Sequence, residues 1–262
     1  ISIIIMIIML ITSIIGMAPG RIGIVVTNSE IRKETGENSE LQEKISDTSS
    51  LLETRKILKE YGEFELDRQI IGANSNLYYI FIVVVFTIVC ADLSGGTVKN
   101  TLSSAISRKK YYLSKLIISL ILGTIIIFIN NYAIYFLNIL INGVKFSTDF
   151  VEFTKLTIIQ LPIMYGIISV LVCIAFVTKR KAIYNSIAIP LIIVIQLILM
   201  SIITLFRLDS TIMTNWEFQY VLSNLAENPE NIYILKTTLL GVGYMILFNI
   251  VGFYSFKKAE IK

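Results

Sequence analysis

The sequence predicts an all-α polytopic membrane protein with six transmembrane helices in a single transmembrane domain, 1–262. Three observations predict it. Hydrophobic residues make up 55% of the chain against 16% charged, a balance too apolar for a soluble domain. The apolar runs, dominated by isoleucine, follow neither the helical nor the strand alternation of a half-buried element. Six of them, at about 1–19, 70–91, 116–142, 156–178, 183–206 and 233–255, each approach the roughly 20 residues with which an α-helix crosses a hydrocarbon core.

The first run, ISIIIMIIMLITSIIGMAPG, also fits a signal peptide, since its apolar core is followed by small residues. Its length favours a true span. Because Ile1 opens the chain without a start methionine, upstream cytoplasmic residues are expected to be missing. A long external segment, 20–69, follows. Within it SELQEKISDTSSLLETRKILKEYGEF sets Leu41, Ile45, Leu52, Ile57 and Leu58 at spacings that suit one or two amphipathic helices. Its glutamates and lysines read as a solvated face, with substrate collection as the alternative. The last external segment, TNWEFQYVLSNLAENPEN, is expected to be partly helical, and its aromatic residues suit a membrane interface.

Basic residues between the spans are unevenly placed. Lys99, Arg108, Lys109, Lys110 and Lys115 share one loop, Lys179, Arg180 and Lys181 another, and Lys257, Lys258 and Lys262 the tail. By the positive-inside bias these segments are cytoplasmic, as are both termini, in a multi-pass protein of the cell membrane, expected to be the bacterial plasma membrane. The net charge of +4 is thereby explained by headgroup contact, and nucleic acid is not an expected partner. The bilayer is. Cys90 and Cys173 fall inside spans and form no metal-ligand spacing, and histidine is absent. That excludes histidine-based zinc sites, Ser-His-Asp triads and imidazole relays. No metal and no cofactor is expected.

Chemistry is most legible in Asp92–Lys115, DLSGGTVKNTLSSAISRKKYYLSK. Its LSGGT looks like the signature of ABC ATPases, yet the chain has no glycine-rich phosphate loop ending in GK[ST]. The segment reads instead as a short helix at the cytoplasmic surface between spans two and three. Ser94 or Thr97 can cap it, with Val98, Leu102, Ala105 and Ile106 on one side and Lys99, Asn100, Ser103 and Ser104 on the other. Tyr111 and Tyr112 suit the headgroup layer beyond.

A span ending in an acidic residue, then GT-x-K-N-T-L-S, I-S-R and Y-x-x-S-K, resembles the permease subunit of type-2 ABC exporters. Family members usually carry glutamate where this chain has Asp92. The resemblance implies a cytoplasmic coupling helix between helices two and three, with Gly96, Thr97, Leu102, Ser107 and Arg108 at its motif positions. It also implies a separate ABC ATPase subunit as partner and a second permease subunit, alike or related. Together with the residue pattern it gives Asp92, Gly96, Thr97, Val98, Leu102, Ile106, Ser107 and Arg108 as the expected ATPase-coupling residues. Peptide-antibiotic and self-immunity permeases are the nearest in pattern. No catalytic residue is expected in this chain.

Spans two to six hold Asn130, Asn131, Asn138, Gln160, Gln196 and Asn249 but no mid-span charge, apart from Asp92 and Lys236 near helix ends. Ion-coupled transporters commonly keep charge there, so driving energy is expected from a partner. The amides read as interhelical glue, with substrate contact as the alternative. Pro162 and Pro190 are expected to kink spans four and five, and Lys236 to snorkel outward. A membrane-embedded hydrolase lacks its acids and bases here. A peptide-binding sensor or immunity protein is the remaining alternative.

Overall fold

The computed structural model describes residues 71–95, 98, 106–144, 147–209, 211–227 and 230–258. The expected first span, the segment 20–69, and Gly96, Thr97 and Leu102 of the expected coupling helix lie outside these residues. The described residues are helical and contain no strand. A 3₁₀ turn, Ala73–Asn76, leads into α1 (Leu77–Val85), a π turn (Phe86–Cys90) and α2 (Ala91–Ser94). There follow α3 (Arg108–Asn142), α4 (Phe150–Ile159), α5 (Leu161–Thr178), α6 (Lys181–Ala188) and α7 (Leu191–Phe206). Two short helices, α8 (Thr211–Trp216) and α9 (Phe218–Glu227), precede α10 (Asn231–Lys258).

Five continuous or broken helices are long and apolar enough to cross a membrane: Leu77–Ser94, Arg108–Ile141, Phe150–Thr178, Lys181–Phe206 and Asn231–Lys258. These are the expected spans two to six, with shifted ends. The third starts at Arg108 rather than near 116, because extended Ser107 caps it, its hydroxyl accepting the Lys110 N–H at 3.3 Å. The fourth starts at Phe150, where the Asp149 carboxylate accepts the Val151 N–H at 3.0 Å. Both prolines interrupt their spans. Pro162 lies in the first turn of α5 just after the break at Gln160, and Pro190 immediately precedes α7; each lacks the N–H that a continuous helix needs.

Packing in a bilayer depends on close backbone approach, because lipid tails offer no less apolar contact than leucine does. Here α5 is the most enclosed helix and α10 lies along it. A Cβ at Gly241 would fall inside the backbone of Pro162 and Ile163, and one at Gly166 would come within 3.0 Å of the Gly241 carbonyl. Farther along, a Cβ at Gly252 would meet the Tyr112 hydroxyl at 2.9 Å and the Cys173 Cα at 3.1 Å. These contacts advance in the same sequence direction, so α5 and α10 run parallel. By contrast, Asp92 meets Lys115 while Asn74 meets Asn131, and Tyr112 meets Asn249 while Arg108 meets Lys257. Thus α3 runs antiparallel to both the α1–α2 span and α10. Arg108 and Lys257 gather at one end, with Phe176, three residues before Lys179, packed on Phe256 at 4.9 Å; this is the basic end.

The opposite end is closed by α9, whose Val221, Leu222, Leu225 and Ala226 are buried while its Tyr220, and Trp216 at the end of α8, remain exposed. The aromatic segment expected at an interface is therefore also a packing element. Lys236 on α10 donates to the Asn215 side chain of α8 at 2.7 Å. Glu217 caps α9, accepting the Tyr220 N–H at 3.0 Å. Its carboxyl is buried, and that desolvation pushes its pKa above the ordinary 4.5 although the N–H groups of Tyr220 and Gln219 pull it back.

Two predictions follow from this packing. Gly241→Ala should destabilise the protein by about 1–3 kcal/mol through overpacking. Gly243→Ala, on the same helix with nothing within 4 Å, should be neutral or stabilising by up to about 1 kcal/mol; thermal melting in detergent compares them. Glu217 binds its proton more tightly when folded, so its contribution is fully present below 4.5 and is lost as pH rises through the higher folded value. Glu217→Gln should therefore flatten the fall in melting temperature just above that pH, whereas an unchanged profile would show the carboxyl to be irrelevant to it.

Candidate functional site

Both ends of the Asp92–Lys115 stretch are tied to the bundle. Asp92, in the last turn of the second span, accepts from the Lys115 ammonium on α3 in an ion pair. Lys115 also lies 5.6 Å from the Tyr111 ring centroid. The side chains are 17% and 38% exposed for Lys115 and Asp92 respectively, so the pair is only partly screened by solvent. At the end of the second span the Ser94 hydroxyl turns back to donate to the Cys90 carbonyl at 2.7 Å, and Gly95 donates to the Ala91 carbonyl at 3.0 Å. The second span ends there.

Arg108 joins this segment to the last helix. Its guanidinium donates to the Lys257 carbonyl at 2.7 Å and the Phe256 carbonyl at 3.4 Å. Carbonyls in the last turn of a helix lack intrahelical donors and carry its negative dipole end, which is where a guanidinium is favoured. One turn into α3, the Tyr112 hydroxyl donates to the Asn249 side-chain oxygen at 2.8 Å, and the Asn249 amide donates to the Ser169 hydroxyl at 3.1 Å. A displacement of the start of α3 therefore reaches α10 directly and α5 through one amide.

The expected coupling residues are thus distributed as follows. Asp92 and Arg108 hold the two ends of the segment, and Ser107 caps α3. Val98 is 2% exposed and belongs to the main apolar core, whereas Ile106 is 40% exposed. Ile106 and Ser107 are not helical. The expected apolar arc consequently has one end inside the bundle and the other on its surface.

A second polar constellation lies toward the α9 end. Asn74 donates to the Asn131 side-chain oxygen at 2.9 Å and to that of Gln160 at 2.7 Å, and accepts from Asn130 at 3.2 Å. Asn131 in turn donates to Thr157 at 3.2 Å. All five side chains are buried. Three of the amides read as interhelical glue from sequence therefore share a hub, Asn74, which sequence reasoning passed over as part of a span boundary. The signal was its type: an amide in GANSN at the start of an apolar run needs a partner once buried. Asn138 donates to Ser147 at 3.0 Å.

The ion pair should be measurable. Asp92→Asn and Lys115→Met, singly and together in a double-mutant cycle, should give a coupling of about 1 kcal/mol in detergent melts. Arg108→Ala should accelerate amide hydrogen exchange at the end of α10 by about tenfold, as expected for loss of one charge-assisted contact; equal rates would deny the clamp. Comparison with protein-family models, with curated proteins and with solved structures finds no match to this chain.

Proposed function

We propose that this chain is the transmembrane permease subunit of an ATP-driven ABC exporter. It moves a hydrophobic or amphipathic substrate, a peptide in the first instance, while a separate ATPase subunit hydrolyses ATP. The observation that carries this reading is the double closure of the Asp92–Lys115 segment, whose sequence resembles the coupling segment of type-2 permeases. A push on residues between Asp92 and Arg108 is delivered to α3 by the ion pair and to α10 by the Arg108 clamp. In this reading the basic end faces the cytoplasm and the α9 end the exterior of a bacterial plasma membrane, with both termini inside.

Pairing with a second permease subunit is supported by α6–α7, the least enclosed of the described spans. Only 6% of its most apolar stretch is buried, against 61% for α4–α5. Gln196, midway along α7, makes no hydrogen bond among the described residues, and an amide facing hydrocarbon favours a partner that can bond it. We assign the second subunit to this face.

The reading predicts copurification with an ATPase and no ATP hydrolysis by the isolated chain. Leu102→Asp with Ile106→Asp should uncouple ATP hydrolysis from transport in reconstituted vesicles without preventing membrane insertion. Reporter fusions after Lys181 and after Asn231 should report cytoplasm and exterior respectively; the reverse pattern would overturn the orientation.

A further inference from the structure

We infer that α4 is a swinging arm, hinged at Gln160–Pro162 and latched by the polar hub around Asn74, whose release exposes the arm's buried face. This inference stands apart from the permease reading, since it concerns the isolated chain and its test uses neither substrate nor ATPase.

The hinge follows from the backbone. Gln160 separates α4 from α5, and Pro162 cannot donate the bond that would continue one helix into the other. Beyond the break the two halves of the span are held very differently. On one side, α5 is gripped by α10 at Gly166, Gly241 and Gly252 and belongs to the large apolar core. On the other, the buried apolar residues of α4, Phe153 and Leu156, lie in a separate small cluster with Ile71, Tyr135 and Ala226. A small satellite cluster opens more readily than a main core, because local opening is limited by the apolar contacts that must be broken.

The latch is the polar hub. Asn74 uses both of its amide hydrogens, one on Asn131 of α3 and one on Gln160 at the hinge, while its oxygen accepts from Asn130. Asn131 reaches on to Thr157, in the last turn of α4. Thus Asn74 ties the hinge to two other spans and reaches the arm through Asn131, while the Tyr132 and Thr154 hydroxyls at 3.1 Å and the Tyr135 and Phe153 rings at 4.7 Å also hold the arm to α3. Hydrogen bonds of this kind have a preferred geometry, so the latch is either made or broken and does not stretch. Ala226 of α9 shares the satellite cluster with the arm, whereas Val221, Leu222 and Leu225 belong to the main core, so α9 stays with the bundle when α4 moves.

The arm is also placed to meet water. Its first turns carry Glu152 and Lys155 around Phe153, and charged residues at that spacing belong at the aqueous boundary. Phe153 is nevertheless fully buried, which makes it a reporter of arm position.

The test is thiol labelling of the purified full chain in detergent by a water-soluble maleimide. The background carries Cys90→Ala and Cys173→Ala, with Phe153→Cys as reporter on the arm and Ala175→Cys as reporter in the main core. In this background the arm reporter should label slowly. Asn74→Ala, which removes the bond to Gln160 at the hinge, should raise its rate by about threefold and leave the core reporter unlabelled. Thr157→Val, which keeps the shape and removes one interhelical bond along with the hydroxyl's bond to the Phe153 carbonyl of its own helix, should raise the arm rate by about threefold and serves if Asn74→Ala does not fold. An unchanged arm rate in Thr157→Val and in folded Asn74→Ala overturns the latch. Equal acceleration at both reporters overturns it as well, because that would be general loosening of the bundle.

Discussion

Where Gly241 passes Pro162 the backbones of α10 and α5 touch, and most of the remaining architecture is arranged around that contact. Helices in lipid gain little from burying apolar side chains against one another, so short-range dispersion and interhelical hydrogen bonds decide which pairs form. Glycine at 166, 241 and 252 removes the side chains that would hold the two axes apart. With that pair fixed, Asn249 is positioned to bond both Tyr112 and Ser169, bringing α3 into place. The break at Pro162 lies on the contact itself.

The two polar constellations then occupy opposite ends of a shared frame. At the basic end, charge is used: Asp92 with Lys115, and Arg108 on the last carbonyls of α10. In the Asn74 constellation toward the α9 end the bonds are between neutral amides and the Thr157 hydroxyl. The difference follows from depth. Charged groups are tolerated near helix ends, where side chains reach the headgroup layer, while uncharged amides can be satisfied wholly within the bundle at lower desolvation cost.

Spans two to six could be read from the sequence because a continuous apolar run of sufficient length has few other solutions. Both prolines also acted where their chemistry requires. Helix starts were less legible: Arg108–Lys110 read as a headgroup boundary, yet a capping serine one residue earlier draws them into α3. The burial of α9 could not be seen, since Val221, Leu222, Leu225 and Ala226 form an amphipathic stripe that fits a membrane surface as well as a protein surface. Asn74 was missed for a related reason. Its partners lie far away in sequence, and only the folded chain shows that an amide at a span boundary is the one joining three others.

The π turn at Phe86–Cys90 has a consequence for how the second span is decoded. Each such turn accommodates one more residue than an α-helical turn, which advances everything after it by about 100° around the axis. A chain one residue shorter in this turn would turn the Asp92 carboxylate away from Lys115 on α3.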